Sequence, residues 1–176
     1  MCNEKTGVRD KWLAHLRTRD TKCLLQTYRD NRFNAVFECP AAVLHHLHDI
    51  RSLLDLVDGS NWALWSLKAD INDDSVVSMV HAFAIMYVKI TGPYWDITTS
   101  RRISYLDLYQ YIQPLESTVN DWLENPKSVL TSPGPLKKEK FSKHITFKMV
   151  STASPLEVTF FIKTLIAILK GMAKCI

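Results

Sequence analysis

Histidine and cysteine are the residues in this chain with the clearest capacity for chemistry. His45, His46 and His48 are clustered, Cys39 precedes them, and His81 follows in a later apolar segment. Adjacent residues on a helix point in different directions, so metal ligands from one helix need a spacing of three or four. Cys39 and His46 are two turns apart and do not close a site alone. The pattern favours a solvated or interfacial histidine face. A metal site at His45, His46 or His48 is the minority alternative.

Three aspartates form the second candidate group. Asp70, Asp73 and Asp74 offer carboxylates to a divalent cation, but without the spacing of a calcium-binding loop. The same residues suit a helix start, where free N–H groups need acceptors and the helix dipole favours negative charge. The sequence therefore predicts a capping role for them.

No recognisable catalytic arrangement is present in the sequence. There is no Gly-x-Ser-x-Gly turn and no glycine-rich phosphate loop. A Cys–His pair is a spatial arrangement that spacing alone does not establish. We therefore expect no enzyme activity, no catalytic residue, no bound metal and no cofactor.

Basic residues gather in two stretches, and the net charge of the chain is +4. Lysine and arginine that neutralise phosphates release counterions, so these stretches suit nucleic-acid binding. No helix-turn-helix or zinc-finger spacing accompanies them. A solvated linker is the favoured interpretation, and nucleic-acid binding is the alternative. The residues concerned are Arg101, Arg102, Lys137, Lys138, Lys140, Lys143 and Lys148.

Composition indicates one helical domain. The chain has 176 residues, 47% hydrophobic and 23% charged, which is typical of a globular protein with a real core. Five glycines and seven prolines are too few for a many-turned β fold. Four dispersed cysteines suggest free thiols in a reducing compartment. The first residues lack an apolar run, so we expect no secretory signal and an intracellular location, cytoplasmic or nuclear.

The pattern of apolar residues predicts an all-α fold, an irregular bundle of six to eight helices around a central apolar helix. That helix covers residues 75–91 and should end at Gly92-Pro93. Its apolar part is shorter than the roughly 20 residues that span a bilayer, so no integral membrane span is expected. The residues predicted to pack around it are Phe33, Val43, Leu47, Trp62, Trp95, Leu108 and Trp122.

Three regions follow from the remaining signals: a helical domain over residues 1–130, a linker or extended segment over 131–153, and a C-terminal helix over 154–176. Pro, Gly and lysines mark the linker. Ser154 and Glu157 form a predicted capping box. The C-terminal helix is expected to pack on the same domain. Its lysines also allow contact with a membrane surface, and its apolar face allows contact with a partner helix.

Two short blocks carry a resemblance to a known family. They are residues 28–34, Tyr-Arg-Asp-Asn-Arg-Phe-Asn, and residues 89–96, Lys-Ile-Thr-Gly-Pro-Tyr-Trp-Asp. With residues 106–122, they resemble the helical region of transposase-like proteins encoded by animal mobile elements, related to the hAT group. The resemblance covers about residues 10–130.

In hAT transposases such regions are insertions between catalytic acids on a ribonuclease-H-like fold, and they support dimerisation and DNA placement. This sequence shows no strand-borne Asp pair, no distal catalytic Glu in its context and no zinc-finger start. The resemblance therefore implies an isolated, non-catalytic helical fragment, and it assigns no active-site residue.

The sequence thus predicts a structural or interaction module that contacts a protein partner or a second copy of itself. The residues expected to carry that contact are Arg32, Phe33, Asn34, Phe160, Phe161 and Leu165. The alternatives are a nucleic-acid-binding domain that uses the basic stretches and a membrane-associated bundle that uses the C-terminal amphipathic helix.

Overall fold

The structure is a computed structural model that describes residues 8–25, 34–56, 61–99, 103–136 and 154–176, without the side chain of Tyr105. Within them the chain forms helices and no strand, which confirms the predicted all-α bundle around an apolar helix. A π turn covers Tyr87–Thr91 and a 3-10 turn covers Tyr105–Leu108. The α-helices are α1 Val8–Thr18, α2 Ala35–His45, α3 Leu47–Leu56, α4 Trp62–Asn72, α5 Asp74–Met86, α6 Gly92–Thr98, α7 Tyr109–Glu124, α8 Ser128–Thr131 and α9 Val158–Ala173.

The larger hydrophobic core surrounds α5 and the π turn. Helices α2, α7, α8 and α9 each contribute buried side chains to it, and α2 and α9 make the most extensive contacts with α5. The fully or nearly fully buried members include Ala41, Ala82, Ile85, Met86, Val119, Trp122, Val129, Phe161, Leu165 and Leu169.

The central helix does not end at Gly92-Pro93, and that prediction was wrong. Asp74–Thr98 is one helix of 25 residues. Proline lacks an N–H and crowds the carbonyl four residues earlier, so it usually ends a helix. Here a π turn precedes it, and the Gly92 N–H donates to the Tyr87 carbonyl five residues back. Pro93 then sits in the first turn of α6, where no N–H is needed.

By length and composition, this helix is long and apolar enough to cross a membrane. The mean hydropathy over its most apolar window is 1.4. However, 67% of that window is buried inside the protein. A core helix of a globular domain has the same properties, so the length alone is weak evidence for a membrane span.

A smaller core lies at the other end of α2. It joins Trp12 and Leu16 of α1 to three residues of α3 and to Ile71 of α4. Val43 and Leu47 are half-buried beside this smaller core rather than beside the larger one. The bundle therefore has two cores, where the sequence predicted one.

Other residues predicted to surround the central helix lie elsewhere. Trp62 is 77% exposed and Trp95 is 45% exposed, so neither is a core residue. Leu108 is half-buried, and Phe33 lies outside the described residues. Trp122 is buried in the larger core, as predicted.

Side chains cap the starts of α4, α5 and α9, and only some of these caps were predicted. Asp73 accepts hydrogen bonds from the N–H groups of Ser75 and Val76, which confirms its capping role at α5. The prediction of a capping box at Ser154 was wrong. Helix α9 starts later, and Glu157 is its N-cap residue.

Two prolines lie inside helices of the bundle, and the segment after α1 is not helical. Pro40 lies within α2 and Pro114 within α7, and both helices continue across them. Residues 21–25 form no helix. Asp20 adopts φ 49° at the end of α1, which is a common way to leave a helix.

Residues 131–136 pack against the central helix, contrary to the predicted linker. The buried Lys89 ammonium donates to the Ser132 carbonyl, and the Trp122 indole donates to the Ser132 hydroxyl at 2.8 Å. Burial lowers the pKa of Lys89. Leu136 is also buried. The rest of the predicted linker, residues 137–153, lies outside the described residues.

The C-terminal helix is part of the larger core. Phe161, Leu165 and Leu169 are completely buried against α5 and α7. The backbone N–H of Glu157 donates to the buried Ser78 hydroxyl on α5 at 2.7 Å, which fixes the start of α9. His81 of α5 packs against the Phe161 ring at 5.2 Å. The polar residues of the central helix thus hold the last segments of the chain.

Candidate interaction surface

Helix α4 exposes the most prominent apolar surface on a single helix. Trp62 and Trp65 lie one turn apart and are 77% and 62% exposed. Ala69 and Asn72 continue the same side of the helix and are exposed as well. We call these four residues the tryptophan stripe. None of them is charged, whereas the solvent face of a helix usually carries charges.

The opposite side of α4 explains why the tryptophans point outward. Leu64 and Ile71 pack into the smaller core with α3. The Arg51 guanidinium on α3 donates to the Ile71 carbonyl at 2.8 and 3.1 Å. The Asn61 side chain accepts from the Ala63 N–H at 3.0 Å and caps the helix. With both ends held, the tryptophan stripe remains on the surface.

Two exposed indole side chains differ chemically from an ordinary polar protein surface. Tryptophan combines a large apolar area with one N–H donor and is enriched at the centres of protein interfaces. Trp12 and Trp122 show the contrasting case, because both are buried and donate to partners, Cys23 and Ser132. The stripe is therefore the feature best suited to contact another macromolecule.

A second exposed apolar group lies where α6 meets the 3-10 turn. It consists of Tyr94, Trp95, Leu106 and Tyr109. These residues come from three separate elements. The stripe on α4 lies along one helix, so it can pair with another helix over its length.

The residues predicted to carry a protein contact are placed differently from the expectation. Phe161 and Leu165 are completely buried in the larger core, so they are not available to a partner. Phe160 is 42% exposed, with the Lys163 ammonium 5.8 Å from its ring centre. Asn34 is buried, and its side-chain oxygen has no hydrogen-bond partner. Arg32 and Phe33 lie outside the described residues.

The residues of the nucleic-acid alternative lie outside the described part of the chain. They are Arg101, Arg102, Lys137, Lys138, Lys140, Lys143 and Lys148. Among the residues that are described, α9 exposes Lys163, Lys170 and Lys174 on its outer side.

The sequence predicted a solvated or interfacial histidine face, and the solvated alternative is wrong for the central member of that face. His46 is completely buried, and both of its ring nitrogens are engaged. Its Nε2 accepts from the Leu24 N–H at 3.1 Å, and its Nδ1 lies 3.4 Å from an Asp49 oxygen. His48 is exposed. Across the described ranges, no three His, Cys, Asp or Glu side chains are arranged to hold a metal.

The described cysteines form no disulfide. Cys23, Cys39 and Cys175 are free thiols. Burial raises the pKa of the Cys39 thiol, and the nearby Glu38 carboxylate adds to the effect. The thiolate is the nucleophilic form, so this environment makes Cys39 less reactive.

No family model, curated protein or solved structure matches this chain. The resemblance of residues 28–34 and 89–96 to transposase-like proteins therefore stays a prediction. The second block does not close a helix here, because it spans the π turn and the start of α6.

The tryptophan stripe was not predicted, because the sequence analysis placed Trp62 in the core around the central helix. A helical projection carries the missing signal. Trp62, Trp65 and Ala69 lie on one side of α4, and Leu64 and Ile71 lie on the other. The helix is apolar on both sides, and α3 covers only one of them.

Proposed function

We propose that this chain is a non-catalytic helical interaction module that associates with a second copy of itself through the tryptophan stripe of α4. The exposure of two neighbouring indoles on one capped helix is the observation that carries this proposal. Large exposed aromatic surface is unfavourable in water and favours association.

The spacing along α4 suits a symmetric pair of helices. In an antiparallel pairing about a two-fold axis near Leu67, Trp65 faces Ala69 of the second copy. Trp62 then faces Asn72 of the second copy. A large side chain lies opposite a small one at each position, which lets the two helices approach closely. No charge lies on the stripe, so two copies meet without like-charge repulsion.

The available area indicates weak association. Two indoles with the observed exposure provide roughly 350 Å² per copy if they become fully covered. A specific, stable interface buries roughly 1,200 Å² or more in total. The indoles alone fall short of this, so the interface must also cover surface beside them. We expect a dissociation constant in the micromolar range.

An origin from a transposase-like protein is a further part of this proposal. Its support is the resemblance of the two sequence blocks, together with the role in dimerisation that such helical regions have in hAT transposases. A self-associating helical module is consistent with that origin.

Sedimentation velocity over a concentration series tests the proposal. The wild-type chain should shift from monomer to dimer as its concentration rises through the micromolar range. The double variant Trp62→Ser, Trp65→Ser should remain monomeric while its helical circular dichroism stays unchanged, because both side chains are exposed.

Trp95→Ser is the matched control, since it removes an exposed indole from α6. This variant should dimerise like the wild type. A wild-type chain that stays monomeric at every concentration would refute self-association. A double variant that dimerises normally would remove α4 from the interface.

A further inference from the structure

Two imidazoles pack together at the junction of α2 and α3, and Trp12 of α1 links them to a third. The rings of His45 and His46 pack edge to face at 4.6 Å. Trp12 packs edge-on against His46 at 5.3 Å and stacks with His15 at 6.3 Å. We call His15, His45 and His46 the histidine cluster.

The hydrogen bonds of His46 define its protonation state. Its Nε2 accepts from the Leu24 backbone N–H at 3.1 Å, so that nitrogen carries no proton. Its Nδ1 faces Asp49 at 3.4 Å and is the protonated nitrogen. The structure therefore requires a neutral imidazole in one tautomer. A second proton on Nε2 would replace an acceptor with a donor and break the contact to Leu24.

The other two imidazoles have no acceptor for an added proton. The Nε2 atom of His15 and the Nδ1 atom of His45 are both buried without a hydrogen-bond partner. A proton on either atom would create a buried donor with nothing to receive it, which is costly. The cluster is thus built for neutral imidazoles.

The charges around the cluster do not compensate for protonation. Asp49 is the carboxylate that faces it from α3, and the Arg19 guanidinium at the end of α1 already pairs with Asp49 at 2.8 Å. Among the described residues, Cys23 from the segment after α1 is a further titratable group there, and it accepts from the Trp12 indole at 3.2 Å. One carboxylate that already pairs with Arg19 therefore does not balance the charge of several imidazolium groups.

The pKa of His45 is lowered, as expected for a buried imidazole. Burial lowers its pKa below 6.5, the neighbouring His46 lowers it further, and Asp49 partly opposes the shift. His45 therefore binds its proton more tightly in the unfolded chain than in the folded chain. Stability from this group is therefore present above pH 6.5 and is lost as the pH falls.

The contacts that hold α1 pass through this region. Trp12 and Leu16 bury their side chains in the smaller core, and Arg19 bonds to Asp49 and to Ser52 at 3.3 Å. The larger core contains no residue of α1. Loss of the cluster therefore affects the attachment of α1 without removing any contact from the larger core.

We propose that protonation of the histidine cluster releases α1 and residues 19–25 from α2 and α3, while the larger core stays folded. Acidification through the range in which imidazoles titrate is the trigger. The released segment uncovers the faces of α2 and α3 that Trp12 and Leu16 cover at neutral pH.

Hydrogen exchange read by mass spectrometry tests this on the full chain, at about pH 7.5 and about pH 5, after correction for the intrinsic pH dependence of exchange. Peptides from α1 should lose protection by roughly ten- to a hundredfold at the lower pH. Peptides from α9 should keep theirs.

Matched variants separate the cluster from other acid effects. In the double variant His45→Gln, His46→Gln, neutral amides replace both imidazoles, and the glutamine at position 46 is able to accept from Leu24 and donate to Asp49. Its α1 peptides should lose much less protection at the lower pH than those of the wild type, because His15 is the one imidazole of the cluster that remains. His48→Gln alters an exposed neighbour and should respond like the wild type.

Three results would overturn the proposal. One is α1 protection in the wild type that does not depend on pH. The second is simultaneous loss of protection in α1 and α9, which means unfolding of the whole chain. The third is a full acid response in the double glutamine variant. The wild-type result decides the matter even if that variant fails to fold.

Discussion

Gly134 lies where the chain crosses the π turn, and its lack of a side chain is required there. A Cβ atom at this position would lie 2.6 Å from the Lys89 carbonyl oxygen. It would also lie 3.2 and 3.3 Å from the Cα and carbonyl carbon of Lys89. These are backbone atoms of the central helix, so they cannot rotate away. Gly134→Ala should therefore push residues 131–136 off the helix.

The cost of this substitution has two parts. Insertion of an extra methyl group into a packed region costs typically about 1–3 kcal/mol. Displacement of the segment also weakens the two hydrogen bonds of Ser132, from Lys89 and from Trp122, and a bond of this kind contributes about 1 kcal/mol. We expect Gly134→Ala to lower the free energy of unfolding by about 2–4 kcal/mol.

Gly171→Ala is the same chemical change at a site with no neighbour within 4 Å of the new Cβ. Gly171 is exposed near the end of α9. Alanine is favoured over glycine in a helix by up to about 1 kcal/mol, so this variant should gain stability. Urea unfolding followed by circular dichroism measures both. Equal effects of the two substitutions, or a Gly134→Ala variant as stable as the wild type, would refute the close packing at the π turn.

Three further predictions concern the ends of the central helix and the helix that covers it. Phe161→Ala should cost about 3–5 kcal/mol in urea unfolding, whereas Phe160→Ala at the adjacent, partly exposed position should cost below about 1 kcal/mol. Ser78→Ala should cost about 1–2 kcal/mol and raise hydrogen exchange at the start of α9, because it removes the acceptor of a buried N–H. The hydrogen bond from the Ser75 N–H lowers the pKa of Asp73. The stability that the Asp73 carboxylate contributes is therefore present above pH 3.8 and is lost as the pH falls. Asp73→Asn should preserve the cap and remove that part of the acid dependence of the melting temperature.

The sequence predicted the central helix and the all-α class because both depend on patterns within one segment. The apolar run of α5 and the aspartate that caps it are local signals, and the structure has both. The end of that helix was mispredicted because a π turn is not a local preference of Gly92 or Pro93. It is stable here because residues 131–136, far along the chain, pack against it.

Surface placement was harder to predict than helix formation. A tryptophan at helical spacing is consistent with a core position or with an exposed one, and only the packing partner decides. Trp122 has α8 and the segment after it as partners, so it is buried. Trp62 has no such partner among the described residues, because α3 covers the opposite side of α4. His46 is the converse case. Its burial depends on Leu24 and on Trp12, residues that spacing along the chain does not connect to it.

Both proposed activities depend on elements of the smaller core. The histidine cluster controls the attachment of α1 to α3, and α3 holds the inner side of α4, whose outer side carries the tryptophan stripe. The larger core includes neither α1, α3 nor α4. A change in the packing of α3 on release of α1 would therefore reach the stripe through Arg51 and Ile71 without crossing the larger core. If release of α1 leaves the position of α4 unchanged, acid release and self-association are independent. The dimer dissociation constant should then be the same at both pH values.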